Sequence, residues 1–402
     1  MKSVSPENIS PTTVAVIGGC GHVGLPLALS FAAKGCDVTI VDINPAAVEA
    51  TNNGIVGFIE EGSEELLRRY IGKNLRATTD SAAVRNADNV ICVVGTPIDE
   101  HLNPQLDKLI DLVEQLKGHM RAGQLFVLRS TVYPGATLRM AYHLQEQVPG
   151  VDVAFCPERV AQGYSLKEIA DLPQIVSGTT PKARARARSL FGLLTEKIIE
   201  LEPTEAELSK LFCNAWRYIV FAVANQFYSL CAENNIDYYR VWEAITRDYP
   251  RMQGLPKAGF AAGPCLFKDT MQLAAYYNND FTLGQSAMLV NEGLPRVLMQ
   301  QLRTHDLQNK TVGILGMAFK GDNDDTRESL AFKMKKLLAV ECKKVLCSDP
   351  YTKSRGLVSL EEVLESADLI VIGAPHSVYK SVRPSQPTLD PWNHLGRGGL
   401  LA

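Results

Sequence analysis

The sequence predicts an α/β fold in which two doubly wound sheet domains flank a helical central domain. Three observations lead there. A strand–glycine–helix–strand unit opens the chain, a long stretch of helix-patterned sequence fills its middle, and a second strand–glycine–helix–strand unit returns near the end. The 402 residues also exceed what one hydrophobic core usually supports, so more than one domain is expected.

The first unit begins with the apolar run Val14-Ala15-Val16-Ile17. Gly18-Gly19-Cys20-Gly21-His22-Val23-Gly24 follows, then a helical pattern to Ala33, and a second strand from Val38 to Val41 that ends at Asp42. This is a βαβ unit. A comparable stretch runs from Ala87-Asp88 through an apolar strand to Gly95-Thr96-Pro97, with further strands at 125–128 and 153–155. Strands alternating with helices argue for a parallel, Rossmann-like sheet. From about Glu205 the texture changes, and Ala206 to Asn235 reads as one helix of roughly eight turns. More helical sequence follows at 239–246 and 268–277. Near Thr311 the first pattern returns as Val312-Gly313-Ile314-Leu315-Gly316, a helix from Ser329, and a strand ending at Asp349. Ala367-Asp368, an apolar strand and Gly373-Ala374-Pro375 then echo residues 87–97. The expected division is 1–202, 203–305 and 306–402.

Composition excludes several classes. With 46% hydrophobic residues, 21% charged residues and a net charge of −3, nothing suggests a nucleic acid or an anionic membrane as partner. The first dozen residues lack the apolar core of a secretory signal, and no apolar run approaches the roughly 20 residues of a spanning helix, so a cytoplasmic protein is expected. Nine cysteines with no CxxC spacing fit free thiols rather than a disulfide framework or a metal site.

The glycine triplet Gly19, Gly21, Gly24 follows a strand and opens a helix. Gly21 lets the backbone approach a pyrophosphate while the helix N-terminus supplies amide donors. Asp42 stands about twenty residues on, where a carboxylate binds a ribose 2′-hydroxyl and repels a 2′-phosphate, which favours NAD over NADP. The second sheet domain has Met317-Ala318-Phe319-Lys320 after Gly316, so a second NAD is not expected. Its loop offers Lys320 and Arg327, either as phosphate-binding cations at a sheet edge or as ordinary surface charges. On the middle helix Lys210, Asn214 and Arg217 share a face at i, i+4 and i+7, with Glu207 beside them. The other positions are apolar on nearly every side, so this helix should be largely buried. Its polar stripe needs partners, which are either structural ion pairs or a ligand. In Gly263-Pro264-Cys265-Leu266-Phe267-Lys268-Asp269, glycine and proline bring the chain sharply to a thiol at the start of a helix. That setting beside Lys268 favours the thiolate, with Asp269 one turn on. The other eight cysteines read as packing residues.

Together with Ser130-Thr131-Val132, Pro134-Gly135 and Pro157-Glu158-Arg159-Val160, these motifs resemble the UDP-glucose/GDP-mannose dehydrogenase family over essentially the whole chain. The resemblance implies that a C6 hydroxymethyl of a nucleotide sugar is oxidised to a carboxylate with two NAD and one water, without metal. It implies Cys265 as nucleophile, Lys210 and Asn214 as oxyanion donors, and Asp269 with Glu158 assisting proton transfer and thioester hydrolysis. Gly19, Gly21, His22, Val23, Gly24, Asp42, Thr96 and Thr131 would line the NAD site. Arg159, Val160, Arg217, Arg251, Phe260, Lys320 and Arg327 would contact the UDP-sugar, Arg251 from the other subunit of a homodimer built largely on the helix from Ala206. Arg159-Val160 stands where UDP-glucose members usually carry a phenylalanine and resembles members acting on UDP-N-acetylmannosamine or UDP-N-acetylglucosamine. Ala261-Ala262 before Gly263, and Tyr249 where many relatives have histidine, depart from the commoner pattern. UDP-glucose is the nearest rival substrate, with GDP-mannose further off. A two-electron hydroxyacid dehydrogenase would need neither Cys265 nor a third domain, and a non-catalytic sensor of NAD and sugar nucleotide would need no nucleophile.

Overall fold

A computed structural model of the protein describes residues 11–96, 98–99, 105 and 107–402. Pro97 and the first ten residues of the opening segment lie outside the described residues. Two compact units divide the chain, Met1–Leu211 and Phe212–Ala402.

The first unit runs β1 (Thr13–Ile17), α1 (Gly24–Ala33), β2 (Asp37–Val41), α2 (Pro45–Asn52), α3 (Ser63–Tyr70), β3 (Leu75–Thr78), β4 (Asn89–Cys92), α4 (Asp107–Leu116), β5 (Leu125–Leu128), α5 (Ala136–Gln147), β6 (Asp152–Phe155), α6 (Ser165–Asp171), β7 (Gln174–Val176), α7 (Pro181–Phe191) and β8 (Ile198–Glu200). Six strands form one parallel sheet in the order β3-β2-β1-β4-β5-β6, while β7 and β8 pair separately. The strand order reverses between β1 and β4, and the crevice at the carboxyl ends of these strands is where open α/β sheets take ligands. Alternate residues of each strand feed two cores. Val14, Val16, Val38 and Ile40 pack on α1 with Phe31 and Phe191, whereas Ala15, Ile17, Val90, Phe126 and Val153 pack on the opposite face with Met140 and Leu144.

The boundary between the units falls inside α8 (Pro203–Glu233). Then come α9 (Tyr238–Thr246), α10 (Leu266–Tyr276), α11 (Thr282–Leu302), β9 (Thr311–Leu315), α12 (Leu330–Glu341), β10 (Lys344–Ser348), α13 (Leu360–Ser366), β11 (Leu369–Ile372) and β12 (Thr388–Leu389). A second parallel sheet has the order β10-β9-β11-β12. Its strands Val312, Ile314 and Val371 share one core with Tyr228, Tyr238, Leu298 and Met334. Both sheets and the helical stretch between them have the class the sequence predicts.

One expectation fails. The long helix is not buried all round, because Phe212, Trp216, Val223, Phe227 and Leu230 are exposed, Trp216 at 66% and Leu230 at 60%. They recur at helical spacing and form one apolar stripe, while Ala215, Tyr218, Ala222 and Asn225 on the other side are buried. Hydrophobicity on every side of a helix does not tell the core-facing side from a side that meets a partner. Among the described residues no helix is long and apolar enough to cross a membrane.

Candidate active site

The glycine loop sits at the β1–β4 crevice. A Cβ added at Gly24 would lie 2.4 Å from Gly19 Cα, so helix and loop approach each other as only glycine allows. At Gly21 an added Cβ would meet nothing within 4 Å, leaving room above the loop. Val23 caps α1 without a side-chain hydrogen bond and the first turn holds no acid, so the positive helix end is left to an outside anion. Asp42 follows β2. Its Oδ2 accepts the Cys20 amide at 3.0 Å and its Oδ1 the Asn44 amide at 3.0 Å. Each oxygen keeps a lone pair for a ribose hydroxyl. His22 is half-buried and stacks on Phe58 with centroids 4.3 Å apart. These residues fit an NAD. Cys20 behaves as a packing residue, since burial, partly offset by the Thr51 hydroxyl, pushes its thiol up to about 11.

At the same sheet edge the Thr96 hydroxyl donates to the carbonyl of Thr131, which brings the ends of β4 and β5 together. The segment after Thr131 is pinned from α8. Buried Glu207 accepts the Gly135 amide at 2.7 Å, the Thr137 amide at 2.8 Å and the Thr137 hydroxyl at 2.6 Å, and so caps α5. Burial pushes its carboxyl above the ordinary glutamate range despite these bonds. Of the polar stripe on α8, Glu207 therefore has a structural partner.

Glu158, after β6, is held by a residue that sequence reasoning passed over. Arg129, fully buried at the end of β5, donates from Nε at 2.9 Å and Nη2 at 2.5 Å to Glu158 Oε2, and from Nη1 to the Cys156 carbonyl at 3.0 Å. Glu158 Oε1 accepts the amides of Arg159 at 2.8 Å and Val160 at 3.2 Å. The ion pair thus sets the backbone of the Pro-Glu-Arg-Val turn. A charged residue directly after the apolar strand Leu125–Leu128 was the available signal, because that position lies at the ligand edge. Arg159 itself turns its guanidinium to the Pro173 carbonyl, and Val160 packs half-buried against the core.

In the second unit Cys265 is exposed and occupies the N-cap of α10, with no side-chain cap hydrogen bond. Lys268 spends its charge on Asp269 Oδ1 at 2.6 Å. Asp269 is wholly buried, and its Oδ2 accepts Asn214 Nδ2 at 2.5 Å. Arg327 also interacts electrostatically with Cys265. Its pKa is raised chiefly by hydrogen bonds to Asp325 at 2.6–3.1 Å, against burial, with smaller electrostatic contributions from Asp325 and Cys265. Glu328, at a φ of 53°, turns its carbonyl to the Gly263 amide at 3.3 Å and ties the Arg327 loop to the cysteine loop.

The remaining expected residues differ in exposure. Lys320 is half-buried in the loop after β9, and Lys210 is half-buried on α8. Arg217 is exposed, and exposed Arg251 lies over the Tyr249 ring at 5.7 Å. The Phe260 side chain is only 3% exposed and belongs to the apolar core, which leaves its backbone rather than its ring for a ligand. Among the described residues no cluster of His, Cys, Asp and Glu has the makings of a metal site.

Residues 12–195 match the NAD binding domain of the UDP-glucose/GDP-mannose dehydrogenase family, 204–293 its central domain and 313–393 its UDP binding domain. The UDP-N-acetyl-D-mannosamine dehydrogenase of Pyrococcus horikoshii is 31% identical over 397 residues, covering 96% of this chain and 92% of that one. The solved structure of the UDP-D-ManNAc dehydrogenase from the same organism superposes with a TM-score of 0.87 at 30% identity, covering 94% of this chain and 95% of that one. A UDP-glucose dehydrogenase structure from Pyrobaculum islandicum also gives 0.87, at 25% identity, with 97% and 96% covered. With its glycine loop, sheet order and three matched domains, the chain belongs to the UDP-glucose/GDP-mannose dehydrogenase family and is an NAD-dependent nucleotide-sugar oxidoreductase.

Proposed function

We propose that the protein oxidises the C6 alcohol of UDP-N-acetylmannosamine to the uronic acid, with the sugar held on Cys265 between the two oxidation steps. The observation that carries the covalent step is an exposed thiol at the N-terminus of α10, with Arg327 interacting with it electrostatically. Both features favour the thiolate. NAD, when bound through Gly19, Gly21, His22, Val23, Gly24, Asp42, Thr96 and Thr131, supplies the hydride acceptor. The Cys265 sulfur adds to the C6 aldehyde carbon and forms a thiohemiacetal, so the aldehyde is not released. Its oxygen carries developing negative charge that fixed donors stabilise. Lys210 supplies a cation, and Asn214 supplies the N–H that remains after the other is given to Asp269. Once the carbon reaches thioester level, one water adds to it and the C–S bond breaks, returning the thiolate. Asp269 and Glu158 orient that water and take up its proton.

Arg159, Val160, Arg217, Arg251, Phe260 through its backbone, Lys320 and Arg327 are the proposed contacts to the UDP-sugar. The sugar assignment is supported by Arg159-Val160 after Pro-Glu and by the mannosamine relatives. UDP-glucose is the second reading, favoured by the equal TM-score of the Pyrobaculum structure. We read the chain as three functional parts, 1–202, 203–305 and 306–402, and the enzyme as a cytoplasmic homodimer. Nine free thiols suit a reducing compartment, and the exposed stripe from Phe212 to Leu230 suits a second copy. A panel of UDP-sugars with NAD, scored by product mass and NADH yield, tests the reading. Two NADH per UDP-N-acetylmannosamine and no free aldehyde are expected, and one NADH per sugar would refute the thioester route.

A further inference from the structure

The loop that delivers Cys265 starts at Gly259, and Gly259 is gripped by a side chain outside the proposed chemistry. Asn225 on α8 has no solvent exposure. Its Nδ2 donates to the Gly259 carbonyl at 3.0 Å, and its Oδ1 accepts the Gly259 amide at 2.9 Å. One carboxamide thus closes a two-bond ring on one residue, as a neighbouring strand would. The second Nδ2 hydrogen goes to Asn291 Oδ1 at 2.9 Å, and Asn291 Nδ2 in turn donates to the Tyr218 carbonyl at 3.0 Å. The chain fixes which way the Asn225 amide points, because a flipped carboxamide would set oxygen against oxygen and nitrogen against nitrogen. On its other side Gly259 lies against Trp392. A Cβ there would come within 2.2 Å of the indole, and φ is +145°. The backbone at 259 is therefore held from both sides.

Six residues later the chain reaches Cys265, and just beyond it the first turn of α10 is held by the Asn214–Asp269 bond. Asn214 and Asn225 are eleven residues apart on α8, about three turns, so they lie on one face. One helix face thus anchors the segment before the thiol and the segment after it. Between the anchors Phe260 and Ala261 are buried, and the Gly263 amide is bonded to Glu328, so the grip at 259 is transmitted to the thiol by packed backbone rather than by a slack loop.

We propose that Asn225 is a positioning residue for Cys265, setting the thiol's place relative to α10 and Arg327 through its clamp on Gly259. The inference rests on Cys265 being the nucleophile. An aspartate at 225 is nearly isosteric but cannot donate to the Gly259 carbonyl. The N225D and N291A variants of the full chain test the proposal, with C265A as control of the underlying reading. For protein with a wild-type-shaped melting curve, kcat, the KM values for NAD and UDP-N-acetylmannosamine, and the pH dependence of Cys265 alkylation by iodoacetamide are measured. N225D is expected to lose about 10- to 100-fold in kcat with KM changes under about threefold. The midpoint of its alkylation curve moves by about half a unit or more as the thiol leaves its charged surroundings. N291A, which unseats only the far end of the chain, shifts both in the same direction by less. Partial unfolding would lower the amount of reactive protein without moving that midpoint. A folded N225D with wild-type kcat and alkylation curve overturns the proposal, and if N225D does not fold, an unshifted curve in N291A does so. Acid formation by C265A would instead refute the nucleophile reading, while the alkylation curves still decide whether Asn225 positions the thiol.

Discussion

Replacing Asp42 by alanine isolates the acidic end of the proposed cofactor site. The carboxylate accepts one amide on each oxygen, from Cys20 and Asn44, both at 3.0 Å, and retains a lone pair on each for a ribose hydroxyl. A hydrogen bond to a charged acceptor is worth about 1.5–3 kcal/mol net. Losing a two-oxygen contact, with some recovery by water, then costs about 2–4 kcal/mol of binding. At 1.4 kcal/mol per factor of ten, the KM for NAD rises about 30- to 700-fold. The ribose concerned is remote from the carbon that is oxidised, so this is uniform binding and kcat changes less than about threefold. The removed charge is also the one that repels a 2′-phosphate, so the preference for NAD over NADP narrows in the same variant. Initial rates of NADH formation at saturating UDP-N-acetylmannosamine, with each cofactor titrated, give all three quantities. A KM for NAD within threefold of wild type together with unchanged discrimination against NADP would refute the placing of the ribose at Asp42. A fall in kcat with KM unchanged would show instead that Asp42 acts by holding the glycine loop through Cys20.

Brief iodoacetamide treatment at pH 8 should modify Cys265 ahead of seven of the other cysteines, because burial pushes Cys20, Cys92 and Cys342 to about 11 and Cys156 to about 12, and raises Cys36, Cys231 and Cys347 as well, whereas Cys213 is exposed like Cys265. Peptide mass mapping that found Cys92 or Cys156 labelled before Cys265 would contradict this. Trp216→Glu places a charge on the exposed stripe of α8 and should convert the proposed dimer to a monomer, read by size exclusion with light scattering. A wild-type mass for the variant would rule that stripe out as the dimer surface. Asp349→Asn should lower stability by about 2–5 kcal/mol at neutral pH, since Asp349 and its partner His376 are both wholly buried. Burial raises the Asp349 carboxyl, but His376 and the Met317 and Tyr351 amides outweigh it, and its pKa ends below the ordinary 3.8. The wild-type advantage is therefore full above that value and is lost as the pH falls through the lower folded value. Melting curves of the two proteins should run parallel from neutrality to about pH 5 and converge below about pH 4. Convergence already at pH 6 would contradict the assignment.

The two sheets were legible in the sequence because their signals are local. A buried strand needs an apolar run such as Val14–Ile17, and the turn after it needs glycines where helix and loop come within contact, as at Gly19 and Gly24. Cys265 was legible for the same reason, since glycine, proline and a helix start surround it within a few residues. Its electrostatic partner was not. Lys268 is the neighbour in sequence and pairs with Asp269, while Arg327, the cation that interacts electrostatically with the thiol, comes from a loop some sixty residues on. Arg129 and Asn225 were missed on similar grounds. Arg129 stands at the end of an apolar strand and Asn225 in a largely apolar helix, and only the fold reveals that one meets Glu158 and the other Gly259. The Asn214–Asn225 phase on α8 was readable as a continued polar face, but the surrounding apolar residues made the helix look uniformly buried. Which side of it is open depends on what packs there, and no periodicity records that.

The echo between the two sheet domains shows why a shared pattern need not mean a shared ligand. Asp42 and Asp349 both follow the second strand of a βαβ-like unit, and both accept amides from the loop after the first strand. Asp42 takes one amide on each oxygen and is partly open to solvent. Asp349 takes the Met317 and Ala318 amides and His376 Nε2 on Oδ2, at 2.6, 3.1 and 3.1 Å, and the Tyr351 and Thr352 amides on Oδ1, at 2.9 and 3.0 Å. Five donors exhaust a carboxylate's roughly four lone-pair sites, so none is left for a ribose hydroxyl. His376 also accepts the Asp322 amide on Nδ1 at 2.9 Å, which spreads the hold to the turn after Lys320. The same acid at the same sheet position thus keeps room for the proposed cofactor contact in one domain and, in the other, locks the loop that carries Lys320. What separates the two roles is the number of N–H donors the fold aims at the carboxylate, and that count follows from His376 and the turn after β10 rather than from the aspartate.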